Sequence, residues 1–514
     1  MPCTPNGSSR TSRRLLVTCL GMRTHPVLGS VSLALEPFMI SNRALRVAFL
    51  VLPLICVAAT PAGAAPVSAV TPRSPPEYDR LAREVFAELV GINTTHAVGS
   101  AKAAEALAAR FRAAGFPDKD VFVGGPRPDK MNIVVRLHGS GKGTPVLFNA
   151  HLDVVEAIRE TWTVEPFVLT EKEGFFYGRG TIDVKNEVAV LTTNLIRLRQ
   201  EGFKPARDII VAFNTDEEAG GDANGVDWLL REQRSLVDAG LVINHDAGGG
   251  EMMNGEHLWN RIQTAEKVYA TYSLTTYGAG GHSSLPPRDN AIFRLARALN
   301  RLGDFQFPVR LSDTTRGYLE AVADRVGGDR AAAIRAVLAD PTNAAALDLL
   351  RDTPVVNAQL RSTCPATLVQ AGQTESALPM RAKATIQCRL LPGTIPEEVL
   401  ATLARVIDDP AVEIGVLTAP RATATAVLDK GVFAAVQHVT NEMWAGVKVV
   451  PAMSSGASDN VYWRAAGIPS FGVCGTFVNV ADVRAHGKDE RIGVTEFYQS
   501  LEFSYRLMRA LAGR

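Results

Sequence analysis

Charge of one sign is what this chain has least of. Its 54 Lys and Arg residues face 53 Asp and Glu, a formal net charge of +1. With no field of either sign, nucleic acid or an anionic membrane has no electrostatic basis as the main partner, and a small molecule is expected instead. Cysteine is scarce too. Of six in 514 residues, Cys3, Cys19 and Cys56 precede a predicted cleavage site, so Cys364, Cys388 and Cys474 remain and a disulfide scaffold is excluded. Cys364 and Cys388 are each twelve positions from Ser376, in two strand-like runs. An antiparallel hairpin would place them opposite each other; buried free thiols are favoured slightly over a bridge. Internal repeats are absent, and the Pro/Ala-rich stretch at 61–76 is the only low-complexity tract.

Long apolar runs are also missing. The N-terminal one, Val47 to Thr60, is short of the ~20 residues that a membrane span needs. It follows Arg43 and Arg46 and precedes the small residues Ala62-Gly63-Ala64, which is the pattern of a secretory signal peptide. A secreted or periplasmic chain, cleaved near Ala64, is the expectation, with a retained membrane anchor as the alternative. Cys56 follows Ile55 rather than a small residue, which argues against a lipoprotein site, and the residues before Met39 carry no organised pattern.

What remains is globular: 46% hydrophobic and 21% charged, long enough for at least two domains. Helical spacing in "YDRLAREVFAELVGI" and "SAKAAEALAARFRAAGF" is followed by short apolar runs, "MNIVVRLHG", "TPVLFNAH", "DIIVAFNT" and "GLVINHD". Helix-like "NEVAVLTTNLIRLRQEGF" and "ANGVDWLLREQRSLV" lie between them. Strands alternating with helices predict an α/β fold, a mixed, mostly parallel sheet with helices on both faces. After Glu266 the order becomes strand, helix, helical stretch, two strands, helix, strand, as in an α+β domain, and α/β texture resumes near 420. The predicted organisation is an N-terminal extension and signal peptide (1–64), a linker (65–77), a catalytic domain in two parts (78–265 and 420–514) and an inserted domain (266–419).

Ligands of open α/β sheets bind beyond the carboxyl ends of the strands. His151 and Asp153 follow one apolar run there; Asp216, Glu217 and Glu218 follow the next; His245 and Asp246 follow a third; His486 lies past "SFGVCG". A single His or acid at a strand end is usually a solvated loop residue. Several at one edge of one sheet, in a chain with nine histidines, are a candidate metal site. Residues two apart in an extended segment face the same way, so the Asp153 carboxylate is expected to hold the second nitrogen of His151, unless it merely caps the next turn. Adjacent Glu217 and Glu218 are expected to point apart, one to bind metal and one to take a proton from metal-bound water. Asp216 is expected behind them, with Gly220 and Gly221 turning the chain. Asp183, in a Gly-rich turn that opens a helix, reads as an N-cap on its own.

In order, "HLDVV" (151–155), "YGRGTIDVKNEV" (177–188), "DEEAGG" (216–221), "NHDAGGG" (244–250), "GAGGHSSLPP" (278–287), "RLLPG" (389–393), "SSGASDN" (454–460) and "HGKDERI" (486–492) resemble the M20 metallopeptidases, with a carboxypeptidase S-like flavour. The resemblance implies a zinc exopeptidase-like fold with two divalent metal ions, usually zinc, cobalt or manganese also suiting the ligand types. It implies His151 and Asp246 on one ion, Glu218 and His486 on the other, Asp183 bridging, Glu217 as general base and Asp153 behind His151. The inserted domain becomes a lid, through which two copies would pair. Its His282 would polarise the scissile carbonyl, and Arg389 would bind a substrate carboxylate with help from Gly456. Ser376, Asn186 and Asp246 depart from common family choices, and the first leaves the lid's substrate contacts open. The implied activity is exopeptidase cleavage of a small peptide beside a free carboxylate. An N-acyl-amino-acid deacylase shares every catalytic residue and is the alternative, and a ligand-binding protein without turnover is the reading from another class.

Overall fold

The computed structural model describes residues 71–219, 223–421 and 429–513. The signal-peptide segment, the start of the linker, and Gly220 and Gly221 lie outside the described residues. Helix α1 (Pro76–Gly91) opens on a proline, whose missing N–H is no loss in a first turn, and buries Ala82, Val85, Phe86, Leu89 and Val90 along one side. Helix α2 (Ala101–Ala113) stops before Gly115, whose φ of +86° suits a residue without Cβ. Then come β1 (Val121–Arg127), β2 (Lys130–Leu137), β3 (Val146–His151), the short β4 (Thr170–Lys172) and β5 (Phe175–Tyr177), α3 (Lys185–Gln200) and β6 (Ile209–Asn214). The stretch read as one helix after residue 223 is two, α4 (Gly225–Glu232) and α5 (Arg234–Val237), broken at Gln233. Strands β7 (Leu241–Asn244), β8 (Gly249–Met253) and β9 (Glu256–Glu266) follow.

Beyond Glu266 lie β10 (Val268–Tyr277), α6 (Ala291–Asp304), α7 (Asp313–Val326), α8 (Gly328–Ala339), α9 (Ala344–Arg351), α10 (Pro354–Leu360), β11 (Ala366–Ala371), β12 (Arg381–Leu390), α11 (Pro396–Ile407) and β13 (Glu413–Thr418). The chain closes with α12 (Lys430–Met443), β14 (Lys448–Ser454), α13 (Asn460–Ala465), β15 (Ser470–Gly472), β16 (Phe477–Asn479), β17 (Arg491–Gly493) and α14 (Val494–Ala512).

Ten strands form the main sheet, in the order β1-β2-β6-β3-β7-β15-β9-β8-β16 with β14 on β9. Its centre, β6-β3-β7-β15, is parallel; β2 and β9 flank it antiparallel. All residues of β3 and β6 are buried because both faces are covered. Val146, Phe148, Val211 and Phe213 pack toward α1, α2, α3, α12 and α14. Leu147, Ile210 and Ala212 pack toward α4, α5 and α13. Among the described residues no helix is long and apolar enough to cross a membrane.

A second, antiparallel sheet has the order β11-β12-β10-β13. Ala270, Tyr272, Leu274, Ala384, Ile386 and Cys388 give it one apolar face, packed on α6 and α11. The strand β11 at its edge is exposed throughout. Cys364 and Cys388 are joined by a disulfide, which corrects the expectation of free thiols. The antiparallel ladder explains it: Thr363 faces Arg389 and Ala366 faces Ile386, so the two cysteines stand opposite each other. The helices α7 to α10 do not cover this sheet. Tyr318, Leu319, Val322, Ile334 and Leu350 bury instead against Trp259 of β9 and Val450 and Ala452 of β14, in the main sheet.

Candidate metal centre

The parallel centre of the main sheet delivers its polar residues at one edge, as the strand-end rule requires. His151 is the last residue of β3, Asp216 to Glu218 follow β6, and His245 and Asp246 follow β7. Asp183 comes from the turn before α3 and His486 from the loop between β16 and β17.

Asp183 lies between two imidazoles. Its Oδ1 is 3.1 Å from His151 Nε2 and its Oδ2 is 3.0 Å from His486 Nε2. Asp246 Oδ1 is 3.4 Å from His151 Nε2, and Glu218 Oε1 is 2.9 Å from His486 Nε2. Donor atoms of His151, Glu217 and Asp246 lie within 4.8 Å of one another, as do those of His151, Asp183 and Glu218. These two groups share His151, and Asp183 links His151 to the His486–Glu218 pair through its two oxygens, so the predicted ligands converge.

Electrostatically the pocket is short of positive charge. His486 is pushed up to about 10 by its hydrogen bonds to Asp183 and Glu218. Burial opposes charge on His151, yet Asp183 and Asp246 raise it well above the usual imidazole range. Burial likewise opposes ionisation of Asp183, and the two imidazoles overcome it and hold its carboxyl below the ordinary range. Burial pushes Glu217 well up, with Asp246 adding to it, and also raises Glu218. A divalent cation meets the demand that the imidazoles otherwise meet with protons. The nitrogen and oxygen donors fit zinc, and cobalt or manganese as well.

Asp153 departs from expectation. His151 Nδ1 is 2.9 Å from the backbone oxygen of Asp153, while the carboxylate is 3.8 Å away. That carboxylate accepts the N–H groups of Glu217 (3.1 Å) and Glu218 (3.0 Å) instead. The reason is the course of the chain after β6. Asp216 has φ +54° and residues 217–219 form a turn, so the alternation of an extended strand stops. Both carboxylates reach the pocket but in different donor groups, Glu217 with His151 and Asp246 and Glu218 with His151 and Asp183, and only Glu218 is bonded by an imidazole. Asp216 turns the other way, into a fully buried pair with Lys130 Nζ at 2.5 Å. Lys130 also donates to the carbonyl of His96.

The predicted substrate contacts lie outside the cluster. His282 is exposed on its loop, with Nδ1 2.7 Å from the Ser284 hydroxyl. Arg389 stands on β12 with its guanidinium 5.0 Å from the Tyr269 ring. The Gly456 N–H donates to Ser454 Oγ at 3.1 Å, so in this arrangement it is not free for a ligand.

Several supporting residues escaped the sequence reading, although they lie inside the quoted motifs or beside them. Asp459 of "SSGASDN" accepts from the side chains of Asn214 and Asn224 behind Glu217, and burial pushes it up to about 7. Glu187 lies 2.8 Å from Nδ1 of His245 and also accepts from Thr476 and Ser500; His245, expected among the metal-site candidates, belongs to neither donor group. Arg179 of "YGRG" pairs with Glu490 of "HGKDE". A charged residue within a run of metal-type residues was the available signal.

The model of the family described as Peptidase family M20/M25/M40 matches residues 147–510. The N-fatty-acyl-amino acid synthase/hydrolase PM20D1 of Xenopus tropicalis is 28% identical over 375 residues, 71% of this chain and 72% of its own. The probable carboxypeptidase S-like 2 of Dictyostelium discoideum is 28% identical over 391 residues, 71% of each chain. Among solved structures, the M20 family metallo-carboxypeptidase Sso-CP2 of Sulfolobus solfataricus shares the fold, with a TM-score of 0.63 at 18% identity over 83% of this chain and 98% of that one.

Proposed function

We propose, from the premise that the chain belongs to peptidase family M20/M25/M40 and is a metallopeptidase-type hydrolase, that it is a secreted two-zinc enzyme cleaving a peptide or N-acyl amide bond beside a free carboxylate. The observation that carries this reading is the position of Asp183, whose two oxygens serve two separate imidazole–carboxylate sets. His151, Asp246 and Asp183 would hold one ion, and Glu218, His486 and Asp183 the other. Bound zinc supplies a water acidic enough to lose its proton near neutrality and a Lewis acid for the carbonyl. Glu217, buried and raised in proton affinity, takes that proton and returns it to the leaving amine. Arg389 presents a planar guanidinium to the substrate carboxylate. His282, exposed on its loop, is available to a site on a second copy of the chain. The exposed edge strand β11 supports pairing of two copies through the second sheet. Secretion rests on the signal-peptide pattern ending near Ala64.

A second reading, N-acyl-amino-acid deacylation, is favoured by the name of the Xenopus tropicalis relative, an N-fatty-acyl-amino acid synthase/hydrolase. It uses the same residues and differs in what fills the acyl side. One experiment tests both: zinc content, and hydrolysis of a panel of dipeptides and N-acyl amino acids, for the wild type and Glu217→Ala. Two ions per chain and a loss of about 10²–10⁴-fold in the variant are expected. Full activity of Glu217→Ala, or a wild type with two ions and no turnover on any substrate, would overturn the mechanism.

A further inference from the structure

The two segments that carry Asp183 and His486 meet behind the donor atoms through one ion pair. Arg179 Nη1 lies 2.5 Å from Glu490 Oε2, with side chains 3% and 0% exposed. The other carboxylate oxygen of Glu490 accepts the backbone N–H groups of Ile182 (2.8 Å) and Asp183 (3.2 Å). Arg179 Nη2 donates to the carbonyl of Gly487, the residue after His486, and to that of Glu156, both at 3.2 Å. The guanidinium lies 5.0 Å from the Trp162 ring, and the Gly178 N–H donates to the Glu490 carbonyl at 3.1 Å.

Burying two charges is expensive, and a buried ion pair often stabilises a fold no better than apolar residues of its size. Fold stability alone therefore leaves this pair unexplained. What apolar residues cannot supply is the set of outward bonds. One end of the pair is fastened to the backbone of Asp183 and the other to the backbone beside His486. Those two residues must keep a fixed separation if both are to bind the same ion.

We propose that Arg179 and Glu490 are positioning residues that hold Asp183 and His486 in register, and that they thereby set the affinity of the metal site built from Glu218, His486 and Asp183. They touch neither metal nor substrate. The proposal rests on the two-metal reading above and goes beyond it, since that reading needs only the donor atoms. Residues behind a ligand typically change metal affinity 10–100-fold when replaced.

The test is chelator titration of the zinc-loaded protein, with elemental analysis of zinc per chain, beside thermal unfolding of the metal-free protein. The variants are Glu490→Gln, the milder Arg179→Lys, and as a control Glu502→Gln, which breaks the buried Arg197–Glu502 pair (3.0 Å) remote from the pocket. In Glu490→Gln and Arg179→Lys one of the two ions is expected to be lost at a 10–100-fold lower chelator concentration than in the wild type. Glu502→Gln is expected to lower the melting temperature and leave both zinc affinities unchanged. If Glu490→Gln or, should that variant not fold, Arg179→Lys keeps both ions as tightly as the wild type, the proposal is wrong. A wild type that never binds two ions would instead sink the two-metal reading itself.

Discussion

Asp153 supports His151 with its backbone and the turn carrying Glu217 with its side chain. The carbonyl oxygen lies 2.9 Å from His151 Nδ1, and the carboxylate binds the amides of Glu217 and Glu218 at 3.1 and 3.0 Å. Asp153→Asn keeps the carbonyl and one side-chain acceptor but turns an NH₂ group toward the other amide. One buried N–H then goes unpaired, a loss of about 1–3 kcal/mol. Denaturant unfolding of the metal-free variant measures it, and an unchanged midpoint would mean that the turn is held by something else.

Lys130 and Asp216 are both fully buried, and each is the other's counter-charge. Asp216→Asn leaves the lysine charge uncompensated, which is expected to cost about 3–5 kcal/mol and to lower kcat, since Glu217 is the next residue. Asparagine tolerates the φ of +54° at this position, so backbone strain does not confuse the result. In the double variant Lys130→Met/Asp216→Asn most of the lost stability should return. If the single variant unfolds like the wild type, the pair does not anchor the turn.

These two relationships mark where the sequence stops being readable. Strand ends were visible because β3, β6 and β7 are unbroken apolar runs, and such runs stop where the chain leaves the core. His151, Glu218 and Asp246 could therefore be placed at one edge from pattern alone. Asp183 could not: it sits in a turn that reads as an N-cap, and only the ordered series of motifs pointed to it, while His486, in a loop past "SFGVCG", stood out among the strand ends but was given its partners only by that series. Parity cannot be carried past β6, because a left-handed Asp216 ends the two-residue alternation, and Asp153, though on the side of His151, has its carboxylate taken by the amides of the turn that follows. Strand β14, whose interrupted pattern includes Pro451, was not anticipated, and neither was the packing of α7 on it, which depends on tertiary contacts remote in sequence.

Lys267 is 1% exposed and donates to the Arg361 carbonyl at 2.7 Å. Burial, with Arg389 nearby, lowers it from 10.5 to about 8. The unfolded chain then binds one proton more than the native chain between pH ~8 and ~10.5, so native stability rises with pH in that window. The slope is about 1.4 kcal/mol per pH unit, or about 3 kcal/mol in all. Measured against Lys267→Met, which has no such proton, the wild type should gain this much between pH 8 and 10.5. A constant difference between the two proteins across that range would place the lysine's proton affinity at its ordinary value.

Arg389 offers the clearest test of substrate class. Its guanidinium rests on the Tyr269 ring, burial lowers its proton affinity, and no carboxylate pairs with it among the described residues. A half-buried arginine with an aromatic neighbour and no counter-ion is suited to a ligand's carboxylate, which it can grip through two parallel bonds. A hydrogen bond to a charged group contributes about 1.5–3 kcal/mol, and 1.4 kcal/mol is tenfold in binding. Arg389→Met should therefore raise KM about 10–100-fold for substrates with a free carboxylate and change kcat far less. Arg389→Lys keeps the charge but not the planar fork, and should fall between the two. Against the matching carboxamide substrates, wild type and variants should be equally poor. If Arg389→Met impairs carboxylate and carboxamide substrates to the same degree, the arginine supports the strand and does not read the substrate.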